Sequence, residues 1–73
     1  MPHITIQMYP GRDPETKRKL AEAVARTAAK ELNRGIEHFS VSIQDVSQDD
    51  WNEKVYKKVT DPKNHEVFLK PGY

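Results

Sequence analysis

Residues 1–14 read MPHITIQMYPGRDP, and the order of residue types along them decides the fold. Ile4, Ile6 and Met8 alternate with His3, Thr5, Gln7 and Tyr9. A period of two puts the three apolar side chains on one face, which predicts a β-strand over His3 to Tyr9. Pro10-Gly11 ends it. Asp13-Pro14 then starts a helix. The carboxylate can accept from free backbone N–H groups, and proline fits the first helical position, where its missing N–H costs nothing.

Moving outward, the helix is expected to run to about Asn33. Leu20, Val24, Ala28 and Leu32 recur every four residues and form a stripe for burial, widened by Ala21 and Ala25. Glu15 with Lys19 and Glu22 with Arg26 are spaced as i,i+4 ion pairs on the wet side. Asn33 to Gly35 ends the helix, with Gly35 free to turn left-handed. From His38 to Asp45 the period returns to two. Phe39, Val41 and Ile43 share one face; Ser40, Ser42 and Gln44 share the other. Two strands joined by a helix of this length form a right-handed βαβ unit with parallel strands. Ser47 caps a shorter helix, with Asp50 placed for a variant capping box. Trp51, Val55 and Val59 line its apolar side, and Asp61-Pro62 breaks it. The tail from Glu66 to Tyr73 carries a short apolar run, Val67-Phe68-Leu69, able to pair as a strand or wrap a neighbour.

The fold class is therefore α/β (α+β in some schemes), as a single domain over residues 1–73. A two-stranded sheet leaves open edges and a bare face. Two such units paired edge to edge make a four-stranded sheet with two helices on one side. A chain of 73 residues buries too little surface to dispense with help. It has no cysteine, so disulfides and thiolate metal sites are excluded. His3, His38 and His65 are scattered without metal-ligand spacing, so neither a metal nor another cofactor is expected. Oligomerisation is the remaining route. Twelve basic residues against eleven acidic ones leave a net charge of +1, which is no footprint for nucleic acid. No apolar run approaches the length of a membrane span, and no signal-peptide pattern opens the chain, so the expected location is the cytoplasm.

Pro2 carries the chemistry. Met1 before so small a residue is normally removed by methionine aminopeptidase. That leaves a secondary amine at the head of a strand, with no flexible tether. Burial or a nearby cation disfavours its charged form, and a neutral amine is a general base for a proton alpha to a carbonyl. The plain alternative is a proline that merely begins a strand. Arg12 lies ten residues on, past the strand end. It either folds back or faces a neighbouring subunit's site, where its guanidinium can grip a carboxylate in a bidentate fork. Otherwise it is a solvated loop residue. Trp51 can wall a pocket for an apolar substrate, anchor the second helix, or do both. Lys70 offers a second cation, against the simpler reading of a solvated tail lysine. His3 points to the opposite strand face and is not assigned to catalysis.

Taken together, Met1-Pro2-His3-Ile4, the Gly11-Arg12 turn, the long helix and the second strand resemble the 4-oxalocrotonate tautomerase family. The segment Ser47 to Trp51 and the closing Lys70-Pro71-Gly72-Tyr73 are similar to its PptA-like branch. The resemblance covers nearly the whole chain. It implies a β-α-β fold that dimerises through its sheet, with hexamers in the namesake group and dimers in the PptA-like branch. It implies a keto-enol tautomerase acting on a small carboxylate substrate, with Pro2 as general base. Arg12 would bind substrate and Trp51 would be the aromatic wall. The namesake's second arginine falls on Ser40 here, which points to a monocarboxylate enol such as that of phenylpyruvate. The PptA-like branch itself departs at the position of Arg12. Two alternatives stay open: hydration or dehalogenation with protonated Pro2 as the acid, and a non-catalytic dimerising module that binds a ligand or protein.

Overall fold

The computed structural model describes all 73 residues, Met1–Tyr73. Strand β1 spans His3–Met8 and pairs in parallel with β2, Ser40–Asp45, from His3 opposite Ser40 to Met8 opposite Asp45. Helix α1, Pro14–Leu32, joins them. The expected βαβ unit is therefore present. Since the strands are parallel, α1 runs back, chiefly against β2, from where the strands end to where they begin.

The ends of α1 show why it starts and stops where it does. The Asp13 side chain accepts from the Thr16 backbone N–H at 2.8 Å, and Pro14 occupies the first turn. At the other end, Asn33 takes the left-handed conformation (φ 53°), not Gly35 (φ −69°). Asparagine tolerates that region, and its N–H reaches the carbonyls of Ala29 and Lys30. The buried stripe also differs from expectation. Ala25 and Ala29 are its buried residues, Leu20, Val24 and Ala28 are half-buried, and Leu32 is 57% exposed. Small alanines let the helix sit close to the sheet, and Leu32, the last residue of α1, borders an open hollow beside Pro2. On the wet side Glu22 meets Arg26 at 3.9 Å, but Glu15 pairs with Arg18 at 2.7 Å rather than with Lys19.

Both strands are shorter than the periodicity alone indicates. Tyr9 lies beyond β1, because Val46 N–H already closes the ladder on the Met8 carbonyl at 2.8 Å and Pro10 has no N–H to donate. His38 belongs to a single 3-10 turn, Ile36–His38, ahead of β2. Gly11 has a φ of +123°, so the turn after β1 needs glycine. Ser47 opens a continuous helical stretch made of α2 (Gln48–Trp51), a wide turn over Asn52–Tyr56 and α3 (Lys57–Thr60). Its hydroxyl accepts from Asp50 N–H, while the Asp50 carboxylate pairs with Lys54 at 3.4 Å, so only half of the capping box forms. The tail forms no strand, and Phe68 and Leu69 are 95% and 90% exposed.

A single chain of this fold is incomplete. Only four of 73 residues are buried: Ala25, Ala29, Val46 and Val55. The radius of gyration is 13.8 Å, against about 11 Å for a compact chain of this length. No helix is long and apolar enough to cross a membrane.

Candidate active site

One hollow lies on α1, and the others gather at the two ends of the sheet, which the six-residue strand β1 separates by about 20 Å. At the end where the strands begin, the Pro2 carbonyl accepts from Ser40 N–H at 3.2 Å, which ties Pro2 to the sheet. A hollow of about 550 Å³ lies against it, lined by Met1, Pro2, Leu32, Arg34 and His38. Leu32 supplies the apolar wall. His38 Nε2 stands 3.7 Å from Glu37. The Arg34 main chain is held to the helix end by its N–H donating to Ala29 O at 3.0 Å. Its guanidinium takes part in none of the chain's ion pairs.

No local pattern marks Arg34, His38 or Leu32 as neighbours of Pro2. The available signal is the length of α1. Its 19 residues at about 1.5 Å each span about 28 Å, enough to carry the chain back past the start of β1. Whatever follows the helix must then stand beside Pro2.

The end where the strands finish is aromatic. The Trp51 ring meets Tyr9 edge-on, with centroids 4.9 Å apart and planes at 79°. Gln7, Met8, Tyr9, Arg12, Trp51 and Tyr73 line a hollow of about 340 Å³ there. An adjoining hollow of the same size runs on past Trp51 to Val55, Leu69, Lys70 and Pro71. The Tyr56 hydroxyl donates to the Tyr73 carbonyl at 3.0 Å, so the tail closes over this end. Lys17 and Asp45 pair at 2.9 Å and tie α1 to the end of β2. The Asp13 carboxyl is held below its ordinary range, first by the Thr16 backbone N–H and then by the Thr16 hydroxyl.

Arg12 and Trp51 thus share one hollow, with Lys70 next door and Pro2 elsewhere. Arg12 Nη1 reaches only the Tyr9 carbonyl, at 3.5 Å, and does not fold back to Pro2 of its own chain. Ser40 lies on the open face of the sheet. Its hydroxyl pairs with His3 Nδ1 at 2.6 Å, while His3 Nε2 pairs with the Ser42 hydroxyl at 3.1 Å. On the same face Gln7 Nε2 donates to Gln44 Oε1 at 2.9 Å. The middle of the sheet is a zipped polar ladder, and Ser40 is one of its members.

Comparison with known proteins gives concordant matches. The family model for tautomerase enzymes matches residues 2–61. A tautomerase PptA of Enterobacter sp. (strain 638) is 36% identical over all of this chain and 97% of its own length. A probable tautomerase of Xylella fastidiosa (strain 9a5c) is 32% identical over all of this chain and 89% of its own. Among solved structures, an apo unfused 4-OT is 33% identical with a TM-score of 0.63, covering 67% of this chain and 80% of that one.

Proposed function

The chain belongs to the tautomerase family, in the PptA-like branch of the 4-oxalocrotonate tautomerases, and is an isomerase; from that premise we propose that Pro2, freed of Met1, is its general base. The observation that carries this reading is Pro2 at the head of β1, tied by its carbonyl to Ser40 and bordering a hollow of substrate size. With Met1 attached the Pro2 nitrogen is an amide and has no basicity. Removal of Met1 turns it into an amine whose position the strand still holds. The cytoplasm, where methionine aminopeptidase acts, is the corresponding location.

The active unit in this reading is a dimer of 73-residue domains. β1 is hydrogen-bonded only to β2, so its outer edge is free. Pairing two copies through that edge about a two-fold axis runs the β1 strands antiparallel. Pro2 of one protomer then comes beside the Tyr9-to-Arg12 end of its partner. The few buried residues and the exposed Phe68 and Leu69 support assembly of this kind.

On a 2-hydroxy-enoate, the Pro2 nitrogen takes the enol hydroxyl proton. The oxygen electrons form the carbonyl, and the carbon–carbon π pair takes the proton back from the prolinium to form the new C–H bond. Nothing is oxidised or lost, as a tautomerisation requires. Arg12 from the partner holds the carboxylate, Lys70 adds a second cation, and Trp51 excludes water so that these charges act at full strength. Ser40 borders the site through its backbone bond to Pro2. With no arginine on β2, the substrate class is a monocarboxylate enol of the phenylpyruvate type.

Ketonisation of the phenylpyruvate enol by protein that begins at Pro2 tests the reading, with intact mass reporting loss of Met1. Pro2→Ala is expected to lower kcat by about 10²- to 10⁴-fold. Full activity in that variant would show that the proline is not the base.

A further inference from the structure

We propose that Arg34 is a substrate-binding residue of the Pro2 hollow, a cation from the same protomer as Pro2 that shares the carboxylate of the enol with the partner's Arg12 while Pro2 moves the proton. The inference rests on the reading of Pro2 given above, and it assigns to Arg34 a role that no motif in the sequence marks.

Four observations converge. First, Arg34 and Pro2 line the same hollow of about 550 Å³ within one protomer, whereas Arg12 and Lys70 border hollows at the far end of the sheet. Second, the polar side chains around the hollow are unequally answered. His38 has Glu37 at 3.7 Å, and the Glu37 carboxylate is turned in against Gly35. Arg34 makes no ion pair and no side-chain hydrogen bond, so its fork is open to a ligand. Third, α1 ends here, and the last carbonyls of a helix carry partial negative charge. A substrate carboxylate entering beside them is repelled unless a cation offsets that field. Arg34 is the arginine at this end. The N–H bonds of Asn33 and Arg34 to the helix carbonyls anchor its stem and leave the side chain to meet the ligand. Fourth, Ser40 is committed to His3 at 2.6 Å on the open sheet face, so β2 sends no polar side chain into this hollow in its place.

An arginine binds a carboxylate through two parallel N–H bonds, which fixes the plane of the acid as well as its position. Leu32, on the same wall, would take the apolar end of the substrate. The hollow thereby selects a molecule with one carboxylate and an apolar remainder.

The experiment separates binding from chemistry by using cinnamate, a carboxylate that cannot tautomerise, and cinnamyl alcohol, its neutral counterpart. Calorimetry on protein beginning at Pro2 is expected to show Arg34→Ala weakening cinnamate by about 10- to 100-fold. Cinnamyl alcohol should be unaffected, and Arg34→Lys should recover part of the loss. In turnover, Arg34→Ala should raise KM for the phenylpyruvate enol far more than it lowers kcat. Unchanged cinnamate affinity in Arg34→Ala, equal loss of cinnamate and alcohol, or no cinnamate binding by the unaltered protein each overturns the proposal. An active Pro2→Ala variant alongside carboxylate-selective loss in Arg34→Ala would remove the proline base and leave Arg34 as the anchor. The reverse pair of results would remove Arg34 alone.

Discussion

The two ends of the sheet are built from different materials. Where the strands begin, Pro2, Arg34 and His38 surround a hollow whose apolar wall includes Leu32 and no aromatic ring. Where they finish, Tyr9, Trp51 and Tyr73 crowd together around Arg12. Between them runs a polar ladder in which His3 pairs with Ser40 and Ser42, and Gln7 with Gln44. One end has the proposed base and a cation but no aromatic roof, and the other has the roof without Pro2. A parallel βαβ unit cannot bring its own two ends together, because a strand is stiff and of fixed rise. In the proposed dimer, a second copy turned end for end supplies what each end lacks.

The largest effect expected from this contrast is complementation between inactive chains. Pro2→Ala and Arg12→Ala proteins, unfolded together and refolded as an equal mixture, should regain about a quarter of unaltered activity when assayed below KM, since half the dimers carry one intact composite site of two. A mixture no more active than the average of its components would mean that each chain builds its site alone. Next in size is the mechanical difference between the ends. Trp51→Ala removes a half-buried ring and its contact with Tyr9. Urea unfolding should show a loss of about 2 kcal/mol, roughly half the cost of emptying a fully buried aromatic site. Pro2→Ala in the same assay should change stability by less than about 0.5 kcal/mol. If both variants unfold alike, the ends do not divide chemistry from packing as described.

The smallest effect is electrostatic and confined to the finishing end. The Asp13 carboxyl is lowered in the native state by the Thr16 N–H and hydroxyl. A lowered native value means that the unfolded chain binds the proton first as pH falls. The contribution is therefore complete above the ordinary carboxylate range and is lost as pH drops through the native value. Melting temperature followed from about pH 6 to pH 3 should fall more steeply for the unaltered protein than for Asp13→Asn, whose cap does not titrate. Parallel curves would remove Asp13 as a source of acid sensitivity.

Much of the scaffold was legible along the chain. Alternation marked both strands to within two residues, because a strand's faces follow from its own backbone period. Asp13-Pro14 marked the start of α1, because capping is a contact between residues three apart. Errors fell where a choice depended on what lay across the fold. Gly35 was the intrinsically better left-handed residue, yet Asn33 sat where the ladder of α1 ran out. Leu32 continued the helical stripe but is the last residue of α1 and faces an open hollow, so it remained exposed. The tail had the apolar character of a strand, but no sheet edge was supplied to it within the chain.

The site divides in the same way. By itself the sequence determined the family, the parallel βαβ unit and the candidate base, all carried by short-range periodicity and by residues at fixed spacing. Only the tertiary structure decided which residues stand beside Pro2. Strand length put Arg12 and Trp51 at the opposite end. Helix length and parallel pairing returned Leu32, Arg34 and His38 to its side. Proximity across a fold is set by the lengths and directions of rigid elements, and no single residue along the chain encodes it.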